Sequence, residues 1–136
     1  MRKDQAMQKI YLATPYKHPN PDVRQERYQR VTLAATMLIL MGYNAYSPIT
    51  HNYPIMTSGK IPGGWDFWGK FDSLQLIGSD MLVVLRLPGW EQSTGVTAEI
   101  GIAKTRGMPT YYLDDLIVAA WDMTGRLPSV EEALKL

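Results

Sequence analysis

Residues 81–87, MLVVLRL, are a nearly unbroken apolar run, and a strand of that composition is stable only where both of its faces are covered. It reads as a central strand of a parallel sheet. Three shorter β-prone segments accompany it: Lys9–Thr14 (KIYLAT) ending at Pro15, Tyr43–Ser47 closed by Pro48, and Pro109–Leu113. Helical periods separate them. Pro21–Met41 opens with Asn20 as cap and Pro21 in the first turn, repeats Val31, Ala34, Ala35, Leu38 and Met41 along one side, and stops at Gly42. Trp65–Ile77 places Phe67, Phe71, Leu74 and Ile77 on one face and Trp65, Trp68 and Asp72 on another. A further helix is expected from Ser93 or Thr94 to Gly107, with Val96, Ile100 and Ala103 in phase; Asp114–Met123 and Ser129–Leu136 also read as helices. This alternation predicts a single α/β domain over residues 1–136, a three-layer parallel sheet with helices on both faces.

Sheets of this kind bind ligands beyond the carboxyl ends of their strands. The segments leaving the first three strands there are TPYKHPNP, SPITHNY and LPGWEQSTG, rich in polar and aromatic groups. The stretch Pro48–Gly64 carries His51 and Tyr53 among turn-forming residues and reads as a long loop, a lid or substrate wall. Composition limits the chemistry. Fourteen Lys and Arg against thirteen Asp and Glu leave no field that would favour a nucleic acid polymer. With no cysteine and two histidines, His18 and His51, a closed zinc site or thiol catalysis is excluded, so no metal or organic cofactor is expected. No apolar stretch reaches the length of a membrane span and the first nine residues are polar, so no membrane partner and a cytoplasmic location are expected.

Carboxylates, hydroxyls and backbone amides must then carry the site. Glu99 stands about one turn into the helix after the central strand, where the helix N-terminus favours an ionised carboxylate. Its neighbours Ala98, Ile100, Gly101, Ile102 and Ala103 are small or apolar, which argues against a solvated glutamate. Asp72 shares a helix face with Trp65 and Trp68, whose apolar rings would raise its pKa, although a surface position is the plainer reading. The tryptophans fit either core packing or a substrate wall, and Trp90 either a base-stacking wall or a loop anchor. Asp80 falls at the opposite end of the sheet as a structural residue. Arg24, Arg27 and Arg30 follow one helical face and read as a solvated stripe from which one side chain reaches a phosphate.

The opening IYLATPY, the acid within WDFWGKFDSLQLIGSDMLVVL and above all STGVTAEIGIA resemble the nucleoside 2-deoxyribosyltransferase superfamily, including its 2'-deoxynucleoside 5'-monophosphate N-glycosidase branch. The wording YLATPYKHPNPDVRQERY with SPITHNY and LPGW is most similar to a small bacterial and phage group within it. The resemblance runs from Ile10 to Tyr112 and implies a flavodoxin-like or Rossmann-like fold. It places Glu99 as the nucleophile that attacks the anomeric carbon, Tyr11 as the tyrosine that orients it, and Asp72 as the acid facing sugar and leaving base. Gly95 matches the glycine that lets backbone amides approach the ligand. At Ser93 the transferases acting on free nucleosides carry an aspartate, and the monophosphate branch a serine. A hydroxyl at a helix N-terminus can donate to a 5'-phosphate, whereas a carboxylate there would repel it. Ser93 also fits a plain N-cap. Lys17 supplies a cation where that branch has an arginine, while Pro15 and Tyr16 depart from its small-residue loop.

The expected activity is cleavage or exchange of the N-glycosidic bond of a deoxynucleoside or its 5'-monophosphate, with Glu99, Asp72 and Tyr11 as catalytic residues. Ser93, Gly95, Lys17, Trp65, Trp68 and His51 are the expected substrate contacts, and a homodimer or higher homo-oligomer the working unit. Two other functions fit the same sheet: a non-catalytic nucleotide-sensing module, and an interaction subunit whose aromatic loops form a protein interface.

Overall fold

Alternation along the first strand decides how the sheet is covered. In the computed structural model, which describes residues 7–136, β1 (Lys9–Ala13) sends Ile10 and Leu12 to one face and Tyr11 and Ala13 to the other, all fully buried. It pairs in parallel with β2 (Asn44–Tyr46) on one side and with β3 (Met81–Leu85) on the other, and β3 pairs in parallel with β4 (Thr110–Leu113). The order β2-β1-β3-β4 therefore reverses between β1 and β3, which opens a crevice at their carboxyl ends. Every residue of β3 is buried, as its unbroken apolar run requires.

Helix α1 (Pro21–Leu40) covers the Ile10 face with Val31, Ala34, Ala35, Met37 and Leu38. Asn20 caps it, its side chain accepting from the Asp22 amide. The three arginines of α1 correct the expectation of a solvated stripe. Arg30 forms an ion pair with Asp115 at 2.9 Å, Arg27 donates to the carbonyls of Lys17 and Pro88, and Arg24 donates to those of His18 and Pro19. Arg24 and Arg27 fix the loops after β1 and β3 at the ligand end of the sheet, and Arg30 ties α1 to the start of the helix that follows β4.

The expected loop Pro48–Gly64 is also corrected, because residues Pro48–Met56 form a helix, α2. Ser47 caps it by accepting from the Thr50 amide, and Pro48 occupies the first turn, where its missing N–H costs nothing. Helix α3 (Trp65–Ile77) buries Trp68, Gly69, Asp72 and Leu76 and turns Phe71, Leu74 and Ile77 outward. After β3 a short 3-10 turn (Trp90–Gln92) leads to α4 (Thr94–Thr105), which with α3 covers the Tyr11 face. Trp90 packs on Tyr112 and so acts as a loop anchor.

Helix α5 (Asp115–Thr124) returns to the Ile10 face, and α6 spans only Val130–Ala133, shorter than the expected Ser129–Leu136. Extended backbone replaces the missing turn: Lys135 exchanges two backbone hydrogen bonds with Tyr112, covering the open edge of β4. Asp80 plays the structural part expected of it, accepting from the Lys9 amide at 2.7 Å. Among the described residues no helix is long and apolar enough to cross a membrane.

Candidate active site

The crevice between β1 and β3 is a cleft of about 280 Å3, walled by all three ligand-end segments. The chain after β1 contributes Thr14, Tyr16 and Lys17, α2 contributes Asn52, α3 contributes Trp65, Trp68 and Asp72, and the start of α4 contributes Ser93, Gly95 and Glu99. Two carboxylates thus reach one small cavity from different helices.

Glu99 is 4% exposed, and burial pushes its carboxyl up to about 8. Its Oε2 accepts from the Tyr11 hydroxyl, which partly offsets that effect. The geometry follows from β1: Tyr11 points to the α4 face, fully buried, and its ring spans from the sheet to the first turns of α4. Burial and the nearby carboxylates drive the Tyr11 pKa upward, so the hydroxyl keeps its proton and remains a donor.

Asp72, 7% exposed, is also raised by burial. Its Oδ1 accepts from Asn52 Nδ2 at 3.1 Å, which favours the ionised form and opposes that rise. The nearby Asp72 carboxyl adds to the rise at Glu99, because it disfavours a second negative charge in the cleft. Tyr46 stands nearby, its hydroxyl pushed up to about 12 by burial and then by Asp72.

At the mouth of α4, Ser93 Oγ accepts from the Val96 amide at 3.2 Å while facing the cleft. The cap bond uses an oxygen lone pair and leaves the hydroxyl proton for a ligand, so the two roles open in the sequence are compatible. A Cβ added at Gly95 would lie 3.8 Å from the Trp65 ring and 4.0 Å from Ser93 Oγ, ordinary contacts on the cleft side. Lys17 is exposed at the rim. His51 is exposed and does not line the cleft; its Nδ1 bonds Asn52 Oδ1 at 2.8 Å, and it stands close enough to Asp72 to favour that carboxyl's ionised form. The neighbouring Asn52, 2% exposed, is what reaches the site.

Asn52 and Thr14 were not singled out in the sequence. Asn52 lies in a segment that reads as loop until α2 is recognised. Thr14 is buried in the cleft wall with its Oγ1 unpartnered, a hydroxyl available to a bound molecule. The site so assembled contains an acid buried against an aromatic hydroxyl, a second acid held by an amide, and donors at a helix mouth.

Residues 8–114 match the sequence profile of a family described as a domain of unknown function, DUF1937. The chain belongs to that family. A search of curated proteins gives no sequence match. Among solved structures, this DUF1937 domain is similar to the 2-deoxyribosyltransferase from the psychrotolerant bacterium Bacillus psychrosaccharolyticus, reported as a biocatalyst for the synthesis of nucleosides. The two are 19% identical, the match covers 93% of this chain and 97% of the other, and the TM-score is 0.58. The DUF1937 domain therefore shares that α/β fold over almost its whole length.

Proposed function

We propose that the protein cleaves or exchanges the N-glycosidic bond of a 2'-deoxynucleoside or its 5'-monophosphate. The observation that carries this reading is the buried Glu99 carboxyl, bonded to Tyr11 and sharing one cleft with Asp72. The likeness in fold to a 2-deoxyribosyltransferase supports it.

In this mechanism the reacting state of the acid pair holds one proton. Glu99 is the ionised partner, steadied by the Tyr11 hydroxyl, and its oxygen attacks the anomeric carbon as the bond to the base breaks. The bond's electron pair leaves with the base, which takes the proton carried by Asp72. Asn52 holds Asp72 Oδ1, and among the described residues none bonds Oδ2, which is the oxygen assigned to the base. Water then opens the glycosyl ester to give the free sugar, or an acceptor base opens it to give a new nucleoside; the nucleophile's proton passes to Asp72 and Glu99 leaves as the carboxylate, so either route restores both acids. Trp65 and Trp68 form the apolar wall, Thr14 Oγ1 supplies a donor to the sugar, and Ser93, Gly95 and Lys17 bind the 5' end.

The test is incubation with a panel of deoxynucleosides and their 5'-monophosphates, with and without an acceptor base. Free base or exchanged nucleoside is expected from wild type, none from Glu99→Ala, and a 2-fluoro-2-deoxy analogue should leave an ester on Glu99 detectable by mass spectrometry. Base release by Glu99→Ala at the wild-type rate would overturn the mechanism.

A further inference from the structure

Beside the cleft lies a wider compartment of about 690 Å3, and the two spaces share Tyr16, Lys17, Met56 and Gly64 as their partition. Its lining contains Lys17, His18 and Arg24 and no acidic side chain. Arg24 uses Nη1 on the carbonyls of His18 and Pro19, and no carboxylate pairs with it; the ion pair among the described residues is Arg30–Asp115. The rest of its guanidinium faces the Tyr16 hydroxyl and the open space. His18 Nδ1 accepts from the Asn20 amide at 3.0 Å, so the ring proton sits on Nε2 as a donor. Tyr53 stacks on Tyr28 at 4.1 Å and meets Tyr16 edge-on, which fixes the aromatic side of the space.

Two cations and a neutral imidazole N–H, with no carboxylate among the lining residues, are complementary to a ligand rich in anionic oxygens. We propose that this compartment holds the outer phosphates of a nucleoside di- or triphosphate whose sugar and first phosphate occupy the cleft. This deepens the glycosyl reading and rests on it for the position of the sugar. The phosphate chain passes from Ser93 across Lys17 at the partition to Arg24 and His18, so the preferred substrate carries more than one phosphate.

Two measurements separate this subsite from the reading beneath it. The first is calorimetric titration with inorganic tripolyphosphate, which needs no glycosyl chemistry. Saturable binding to wild type is expected, weakened about tenfold in Arg24→Gln and largely restored in Arg24→Lys, since the charge is the recognised feature. Circular dichroism checks that both variants fold. The second is base release from deoxynucleoside mono-, di- and triphosphates, where kcat/KM should be about tenfold higher for the triphosphate than for the monophosphate, a ratio that Arg24→Gln reduces. Cleavage of monophosphates with no gain from further phosphates, or no tripolyphosphate binding, overturns the subsite and leaves the glycosyl reading standing. Equal losses in Arg24→Gln and Arg24→Lys would assign Arg24 to the loop carbonyls alone and overturn it too. Tripolyphosphate binding through Arg24 without cleavage of any nucleotide overturns the glycosyl reading instead.

Discussion

At the scale of single residues, Glu99 links stability to activity through one proton. Burial raises its carboxyl to about 8 from an unfolded value of 4.5, so between these limits the folded protein keeps a proton that the unfolded chain releases. Folded stability must then fall as pH rises through that window and level off above about 8. Glu99→Gln removes the penalty while Tyr11 still has an oxygen to bond. Its stability advantage over wild type, read by thermal melts, should be small near pH 5 and grow to the order of a few kcal/mol at pH 8. Activity depends on the same proton, because the reacting state of the acid pair holds one: kcat/KM should fall as pH is taken from below to above about 8, where the pair gives up the proton that the leaving base takes. A flat profile across that range, with no pH-dependent gain in Glu99→Gln, would remove Glu99 from both roles. Ser93 tests the other end of the substrate. Aspartate caps helices as well as serine does, so Ser93→Asp should fold, yet lose at least about tenfold in efficiency on phosphorylated substrates while tolerating free nucleosides. An unchanged preference, measured on paired substrates, would leave Ser93 as a cap only.

Elements decide how far such residues are legible. Ser93 and Glu99 could be read because α4 begins with a good cap, one short loop and 3-10 turn after the most apolar strand, so the spacing of the site followed from the spacing of the helix. Asn52 could not, since α2 hides its start signal. Ser47 and Pro48 are a proper cap and first-turn pair, but Pro54 lies inside the same segment and reads as a breaker. The helix tolerates it by ending two residues later, at Met56. Helix α3 shows a different limit: both of its faces are apolar, so periodicity gives the period without telling which face goes inward. The buried one carries Gly69, whose reason is local. A Cβ there would lie 2.8 Å from the Trp65 ring, so glycine is what lets that ring fold over the helix and form the cleft wall. Gly69→Ala gains about 1 kcal/mol of helix propensity while displacing Trp65. Melting temperature should change little and KM should rise more than kcat falls, measured by steady-state kinetics. An unchanged KM would show that Trp65 does not touch substrate.

For the whole molecule, the sheet order was legible only in part, because alternation of strand and helix implies parallel pairing but leaves the order open. What sets it is burial: β3, apolar throughout, must lie inside, and β1 with Ile10, Leu12, Tyr11 and Ala13 covered on both faces must lie beside it. That choice puts the reversal, and hence the cleft, between β1 and β3. The same accounting exposes a surface that the single chain leaves uncovered. Phe71, Leu74 and Ile77 are 46%, 72% and 41% exposed along the outer face of α3, the helix whose inner face carries Asp72. Solvating such a stripe is costly, and a single helix face pairs readily with its own copy about a two-fold axis. A formal net charge of +1 does little to oppose that approach. Sedimentation at micromolar concentration should therefore give a homodimer, and Leu74→Glu, which places a charge in the middle of the stripe, should give a folded monomer. Because α3 also holds Asp72 and Trp68 in the cleft, separation of the copies should lower kcat/KM as well as mass. A monomeric wild type would refute pairing altogether. A dimer that survives Leu74→Glu would place the contact elsewhere, with the outer face of α5, where Leu116 and Met123 are 75% and 88% exposed, as the next surface to charge.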